Sequence, residues 1–119
     1  MAAARLSIRI DLADGIRIGP GKIALLEAIR TTGSISAAAR SLGMSYRRAW
    51  LLVEEINHGL REPAVTTASG GRYGGGAAIT PVGEKVVDLY HAIESRARSG
   101  AGHEFRQLGM LARRERVRA

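Results

Sequence analysis

Apolar and polar residues alternate in two short runs near the start of the chain, Leu6–Ile10 and Ile16–Ile18. A period of two residues is typical of a strand with one buried face. Between the runs, the dipeptide Asp14-Gly15 is a strong turn signal. The pattern therefore predicts a β-hairpin over residues 5–18.

Apolar residues then recur at helical spacing in several stretches. The first predicted helix covers residues 21–32 and stops at Gly33, a common residue after a helix end. Ser34 or Ser36 can cap a second helix that runs to about residue 42, and Ser45 can cap a third that ends near residue 59. Pro81 starts a fourth helix over residues 81–98. Phe105, Leu108 and Leu111 predict one face of a marginal fifth helix, which Gly109 weakens.

The segment between the third and fourth helices predicts a second hairpin. Ala64–Ala68 and Ala77–Thr80 are the expected strands, and residues 70–76 between them are too rich in glycine for regular structure. The predicted fold class is α+β, mainly α. We expect a winged helix-turn-helix domain over residues 1–98, with an N-terminal β-hairpin and a C-terminal dimerisation helix, and a basic tail over residues 99–119.

Charge gives the first indication of a partner. The net charge is +7, and sixteen of the eighteen basic residues are arginine, whose planar fork suits phosphates and guanine edges. A surplus of this size in a small domain favours a polyanionic partner. The chain has no cysteine and no apolar run of transmembrane length. We therefore expect a cytoplasmic protein with no membrane contact.

Residues 34–60 have the pattern of a helix-turn-helix. Ala37–Ala39 supplies small residues where two helices approach, and Gly43–Ser45 supplies a tight turn. Tyr46, Arg47 and Arg48 then lie on the first turn of the third helix, which is the end that meets base edges in this motif. Glycines of the second hairpin would let its backbone approach a phosphate. The predicted DNA-binding residues are Ser34, Ser36, Ser45, Tyr46, Arg47, Arg48, Gly71, Arg72 and Gly74.

The apolar stripes of the first and fourth helices predict a homodimer. Two-fold symmetry would place two recognition helices about 34 Å apart, in successive major grooves of double-stranded DNA. The predicted dimerisation residues are Ile23, Leu26, Val86, Leu89, Tyr90 and Ile93.

Several stretches resemble the DNA-binding domain of ModE-type molybdate-responsive regulators. They are GSISAAA (33–39), GMSYRRAW (43–50), TASGGR (67–72), GGGA (74–77) and ITP (79–81), while Tyr73 departs from the family's glycine run. The resemblance covers roughly residues 5–98; the helix-turn-helix alone would indicate only a broader LysR-like class. The resemblance to ModE-type regulators implies a winged-helix dimer that binds a palindromic operator. Family members that sense molybdate carry separate C-terminal modules, which this chain lacks, so we expect no molybdate binding by this chain.

An enzyme is the reading that the sequence supports least. Residues 19–22 are not a phosphate-binding loop, because the required glycine and hydroxyl positions hold Ile16 and Ile23. His58, His91 and His103 lack the spacing of metal ligands. We expect no catalytic residue, no metal and no cofactor. Two alternatives to a sequence-specific regulator stay open: a low-specificity nucleoid-type DNA binder, and a winged helix that binds another protein.

Overall fold

The computed structural model describes residues 4–68 and 76–113. This part of the chain is α+β and mainly helical, with two small antiparallel sheets, which confirms the predicted class. In chain order its elements are β1 (Ile10–Asp11), β2 (Arg17–Ile18), α1 (Pro20–Thr32), α2 (Ile35–Ser41), α3 (Tyr46–His58), β3 (Val65–Thr67), β4 (Ala77–Ile79), α4 (Pro81–Gly100) and α5 (Gly102–Leu111).

The N-terminal hairpin forms with the expected turn, but its ladder is short. Ile10 pairs with Ile18 and Asp11 with Arg17, and a 3₁₀ turn at Ala13–Gly15 connects them. Gly15 adopts a φ of 80°, a left-handed conformation that glycine accepts without strain. Residues 5–10 keep the predicted alternation of exposed and half-buried side chains, although only residue 10 of this run joins the ladder.

Helices α1, α2 and α3 enclose the main core. Leu25, Leu26 and Ile29 of α1 are fully buried. They pack with small side chains of the next two helices, including Ala38 and Ala49, both also fully buried. Small side chains let the helix axes approach closely, as the sequence predicted for this region.

Short caps and turns set the bounds of α2 and α3. The Ser34 hydroxyl accepts a hydrogen bond from the Ala37 N–H at 3.1 Å, so Ser34 and not Ser36 caps α2. Gly33 before it and Gly43 after it have φ values of 72° and 68°. Both glycines therefore take the left-handed conformation that ends a helix and lets the chain turn. The predicted bounds of α2 and α3 agree with the structure within about one residue.

Strands β3 and β4 form the base of the second hairpin. Val65 pairs with Ile79, Thr66 with Ala78 and Thr67 with Ala77. The Ala77 N–H donates to the Gly33 carbonyl at 2.9 Å, which ties β4 to the corner between α1 and α2. The hairpin therefore sits in a fixed place against the helical core.

Helix α4 closes the fold through a narrow face. Gly83, Val87 and Tyr90 are its buried residues, and the Tyr90 hydroxyl donates to the Ile8 carbonyl at 2.7 Å. Burial is the main cause that raises the pKa of Tyr90 above its ordinary value, and the nearby Glu94 adds to it. The helix extends to Gly100, two residues beyond the prediction, and α5 follows it. Gly109 belongs to α5, and a Cβ atom at this position would lie 3.3 Å from the Cβ of Ala4 in the N-terminal segment.

Charged side chains also join α1 and α4 at the surface. Arg30 donates to Glu84 at 3.0 Å, and the Nε2 of His91 lies 3.1 Å from Glu27. The hydrogen bond to Glu27 raises the pKa of His91, although partial loss of water around the ring opposes the shift. These exposed contacts orient α4 on α1, and they use side chains that do not belong to α3.

Candidate nucleic-acid interface

The exposed face of α3 carries the candidate site. Ala49, Val53 and Ile56 turn into the core, which leaves the opposite side of the helix to solvent. A shallow groove runs along this exposed side, here called the α3 groove. It is lined by Ser45, Arg47, Arg48, Leu51, Leu52 and Glu55.

The N-terminal end of α3 brings together four predicted DNA-binding residues. The Ser45 hydroxyl accepts a hydrogen bond from the Arg48 N–H at 3.1 Å, so its own proton stays available for another acceptor. Tyr46 is 56% exposed, and Arg47 and Arg48 are exposed beside it. Within residues 4–68 and 76–113, neither arginine forms an ion pair. Two cations at a positive helix end form a surface that attracts phosphate.

A partly buried lysine neutralises the one acidic side chain that lines the α3 groove. The Nζ of Lys22 lies 3.1 Å from Glu55 and donates to the Arg17 carbonyl at 2.7 Å. The Lys22 side chain is only 12% exposed, whereas that of Glu55 is 57% exposed. The pair holds Glu55 against α1 and offsets a charge that would repel phosphate.

The remaining predicted DNA-binding residues have different positions. Ser34 is half-buried at the start of α2, and Ser36 is exposed in its first turn. Gly71, Arg72 and Gly74, together with the arginines of the tail beyond residue 113, lie outside the described residues. Their predicted roles stay predictions.

Asn57 is a positioning residue that the sequence did not single out. Its Oδ1 accepts hydrogen bonds from the N–H groups of Ala64 at 2.8 Å and Val65 at 3.1 Å. Its Nδ2 donates to the Val65 carbonyl at 3.0 Å. The side chain thus holds the start of β3 through three hydrogen bonds and fixes the hairpin relative to the end of α3. The only signal in the sequence was a polar residue close to the buried stripe of α3.

The predicted dimerisation residues divide into two groups. Ile23, Leu26 and Tyr90 are buried in the core of a single chain, with exposures of 2%, 0% and 4%. A side chain without free surface cannot line an interface, so the prediction is corrected for these three. Val86 is half-buried, and Leu89 and Ile93 are 54% and 45% exposed on α4. These three residues remain available to a partner.

Among the described residues, none of the helices combines the length and the apolar character of a transmembrane segment. No group of three or more histidine or acidic side chains with metal-binding geometry is present among residues 4–68 and 76–113.

No protein-family model matches the chain. It is 54% identical over 81 residues to the molybdenum-pterin-binding protein MopB of Rhodobacter capsulatus, covering 68% of this chain and 30% of that protein. It is 40% identical over 91 residues to the molybdenum transport protein ModE of Azotobacter vinelandii, covering 76% of this chain and 33% of that one. It is 36% identical over 87 residues to the DNA-binding transcriptional dual regulator ModE of Escherichia coli, covering 73% of this chain and 33% of that protein.

The chain spans about a third of the length of the curated relatives that it matches. Similarity to ModE and Mop proteins therefore extends over roughly 70% of this chain and over a minor part of each relative.

Proposed function

We propose that the chain is a sequence-specific DNA-binding module of a transcriptional regulator, and not an enzyme. In this proposal α2 and α3 are a helix-turn-helix, and β3 and β4 are the base of a wing. The observation that carries the proposal is the capped end of α3, where Arg47 and Arg48 are exposed and form no ion pair with a described residue. Relatives named ModE, one of them a DNA-binding transcriptional dual regulator, support it.

In this proposal the side chains at this end of α3 have different roles. With α3 in the major groove, Arg47 lies on the outward face and can bond O6 and N7 of guanine together. Ser45 and Tyr46 keep hydroxyl protons for phosphate oxygens, and Arg48 supplies a charge beside them. Phosphate contacts would set orientation, and Arg47 would read sequence.

A homodimer is part of the proposal. Leu89, Ile93 and Val86 form an apolar flank of α4 that the core does not cover completely. Pairing of two such flanks would bury leucine and isoleucine side chains that are now about half exposed. A two-fold pair would recognise a palindrome with half-sites one helical turn apart.

Fluorescence anisotropy tests the proposal directly. The promoter region of the protein's own gene and a scrambled duplex of equal length are titrated at several salt concentrations. Tight binding to one palindromic site and weak binding to the scrambled duplex would support a specific regulator. Equal binding to both would favour the nucleoid-type alternative. No binding at low salt would overturn DNA binding and favour a module that binds protein.

Molybdate binding is a second candidate, favoured by the name of the MopB relative. Titration calorimetry with sodium molybdate, in the absence of DNA, separates the candidates. Because the proposal assigns DNA binding to this segment, we expect no heat of binding and no change in DNA affinity when molybdate is added. A saturable heat signal would instead place an oxyanion site in this chain.

Arg47→Ala should lower affinity for the preferred operator by about 5- to 150-fold, which corresponds to about 1–3 kcal/mol. Base preference should relax at one position of each half-site, because the fork that reads guanine is lost. Anisotropy with a panel of single-base operator variants measures both effects. Arg96→Ala, which removes an exposed arginine from α4, is the matched control and should change affinity little. A uniform loss for all sequences would make Arg47 a phosphate contact instead.

Lys22→Met should weaken DNA binding on the order of fivefold at low salt, because the Glu55 carboxylate beside the α3 groove is no longer neutralised. The double variant Lys22→Met/Glu55→Gln should recover most of the affinity, since the exposed charge is gone. Anisotropy at 50 and 300 mM salt checks the effect, which should shrink at high salt. Equal affinities of the two variants would contradict this role for the pair.

A further inference from the structure

Leu51 is an apolar side chain in the middle of a cationic surface. It is 46% exposed, lies one helical turn after Arg47, and lines the α3 groove together with Arg47 and Arg48. The core does not need it, because Ala49, Val53 and Ile56 supply the buried face of α3. A single exposed leucine is common on protein surfaces and does not by itself indicate a function. Leu51, however, lies next to the arginines that are proposed to contact DNA.

Charge complementarity decides which partner fits this surface. A partner that covers Leu51 must also cover Arg47 and Arg48, which face the same groove. An apolar protein surface would leave two cations without water or counter-charge, which is costly. A major groove offers acceptors and phosphates to the arginines and one apolar group to the leucine. That group is the 5-methyl of thymine, the only methyl group that the four bases present there.

We propose that Leu51 is a specificity-determining residue that contacts a thymine methyl group in the operator. The inference rests on the proposed DNA-binding function and names the base chemistry that it would recognise. Four residues along a helix span about 6 Å, and base pairs are about 3.4 Å apart. The thymine therefore lies one or two base pairs from the guanine that Arg47 reads. A leucine in this place also disfavours cytosine, whose amino group would lose its hydrogen bonds to water.

The test removes the methyl group from the DNA and the leucine from the protein in turn. The intact chain first selects an operator from a random duplex library. Each thymine of that operator is then replaced singly by deoxyuridine, which lacks only the 5-methyl group. For the unmodified chain, one replacement in each half-site should lower affinity about fourfold, the factor expected for one buried methyl group.

Leu51→Ala should bind the thymine and deoxyuridine operators equally, because the side chain that covers the methyl group is gone. Leu108→Ala, which truncates a leucine 64% exposed on α5, is the matched control and should keep the fourfold difference. Circular dichroism should show the same helix content in both variants, since neither leucine is buried.

Each failure has a distinct meaning. An operator without thymine near the Arg47 position, or one in which every thymine tolerates deoxyuridine, overturns the inference and leaves the proposed function intact. A fourfold penalty that persists in Leu51→Ala also overturns it, because another residue then covers the methyl group. If the library yields no enriched sequence, the proposed function itself fails, and this inference fails with it.

Discussion

Asn57→Ala should lower the free energy of unfolding by roughly 2–4 kcal/mol. The variant removes the acceptor of the Ala64 and Val65 N–H groups and the donor to the Val65 carbonyl. Ala64 and Val65 are almost fully buried, with exposures of 0% and 2%, so water cannot easily replace these hydrogen bonds. Alanine is a better helix former than asparagine, which works against the effect. A large loss of unfolding free energy would therefore come from the missing hydrogen bonds of Asn57 and not from helix propensity.

Urea unfolding followed by circular dichroism measures the loss. The neighbouring variant His58→Ala is the control, because His58 is exposed and its one hydrogen-bond partner among the described residues is the Glu54 carbonyl of its own helix. Its stability should stay within about 0.5 kcal/mol of the unmodified chain. If the two variants unfolded at the same urea concentration, Asn57 would not be what holds β3 to α3. Weaker DNA binding by Asn57→Ala, at a temperature where it is folded, would extend the role to the interface.

Gly83→Ala should destabilise the chain by roughly 2–3 kcal/mol. A Cβ atom at this position would clash with the Ala64 carbonyl oxygen and would lie 2.6 Å from Cγ1 of Ile79. The carbonyl cannot swing away freely, because it accepts the Thr80 N–H at 2.9 Å. Either α4 or the base of the hairpin must move, and packing against a buried residue is lost in both cases.

Gly100→Ala provides the same chemical change on the same helix. A Cβ atom there would meet nothing within 4 Å, so only the better helix propensity of alanine remains. We expect this variant to be as stable as the unmodified chain or slightly more stable. Thermal unfolding of both variants is the measurement. A Gly83→Ala variant with an unchanged midpoint would show that α4 is less tightly seated on β3 and β4 than its geometry implies.

Local signals in the sequence were enough to place most helices and turns. Ser45 precedes α3, and Pro81 opens α4, and each acts within one turn of its own position. The same holds for Gly33 and Gly43, whose left-handed conformations end α1 and follow α2. Capping and turn chemistry depend on neighbours in sequence, so they can be predicted without knowledge of the packing.

The side of α4 that packs against the core could not be predicted from such local signals. Its apolar residues form two adjacent stripes. The dimer prediction assigned Tyr90 to the same outward stripe as Val86, Leu89 and Ile93, but Tyr90 lies on the side that packs against the core. The structure buries the narrower side with Gly83 and Val87, because a glycine permits the closest approach to the hairpin. The choice between stripes depends on what packs against them, which is a property of the tertiary structure.

The candidate site likewise contains some residues that the sequence predicted and others that it did not. The exposure of its arginines was predictable, because they lie in the first turn of α3 and outside its apolar stripe. Asn57 and the pairing of Lys22 with Glu55 were not, because their partners lie on other elements and at no fixed distance along the chain. Long-range polar contacts leave no periodic trace in a sequence.

The hydrogen bond from Tyr90 to Ile8 also has a consequence for synthesis of the chain. Its two partners are 82 positions apart, so the N-terminal segment is translated long before the helix that holds it. At ~5–20 residues per second, that interval lasts roughly 4–16 s. During this time the apolar residues of the segment lack their partner and could pair with another nascent chain. Arg5 and Arg9, interleaved with these residues, act against such aggregation because like charges repel.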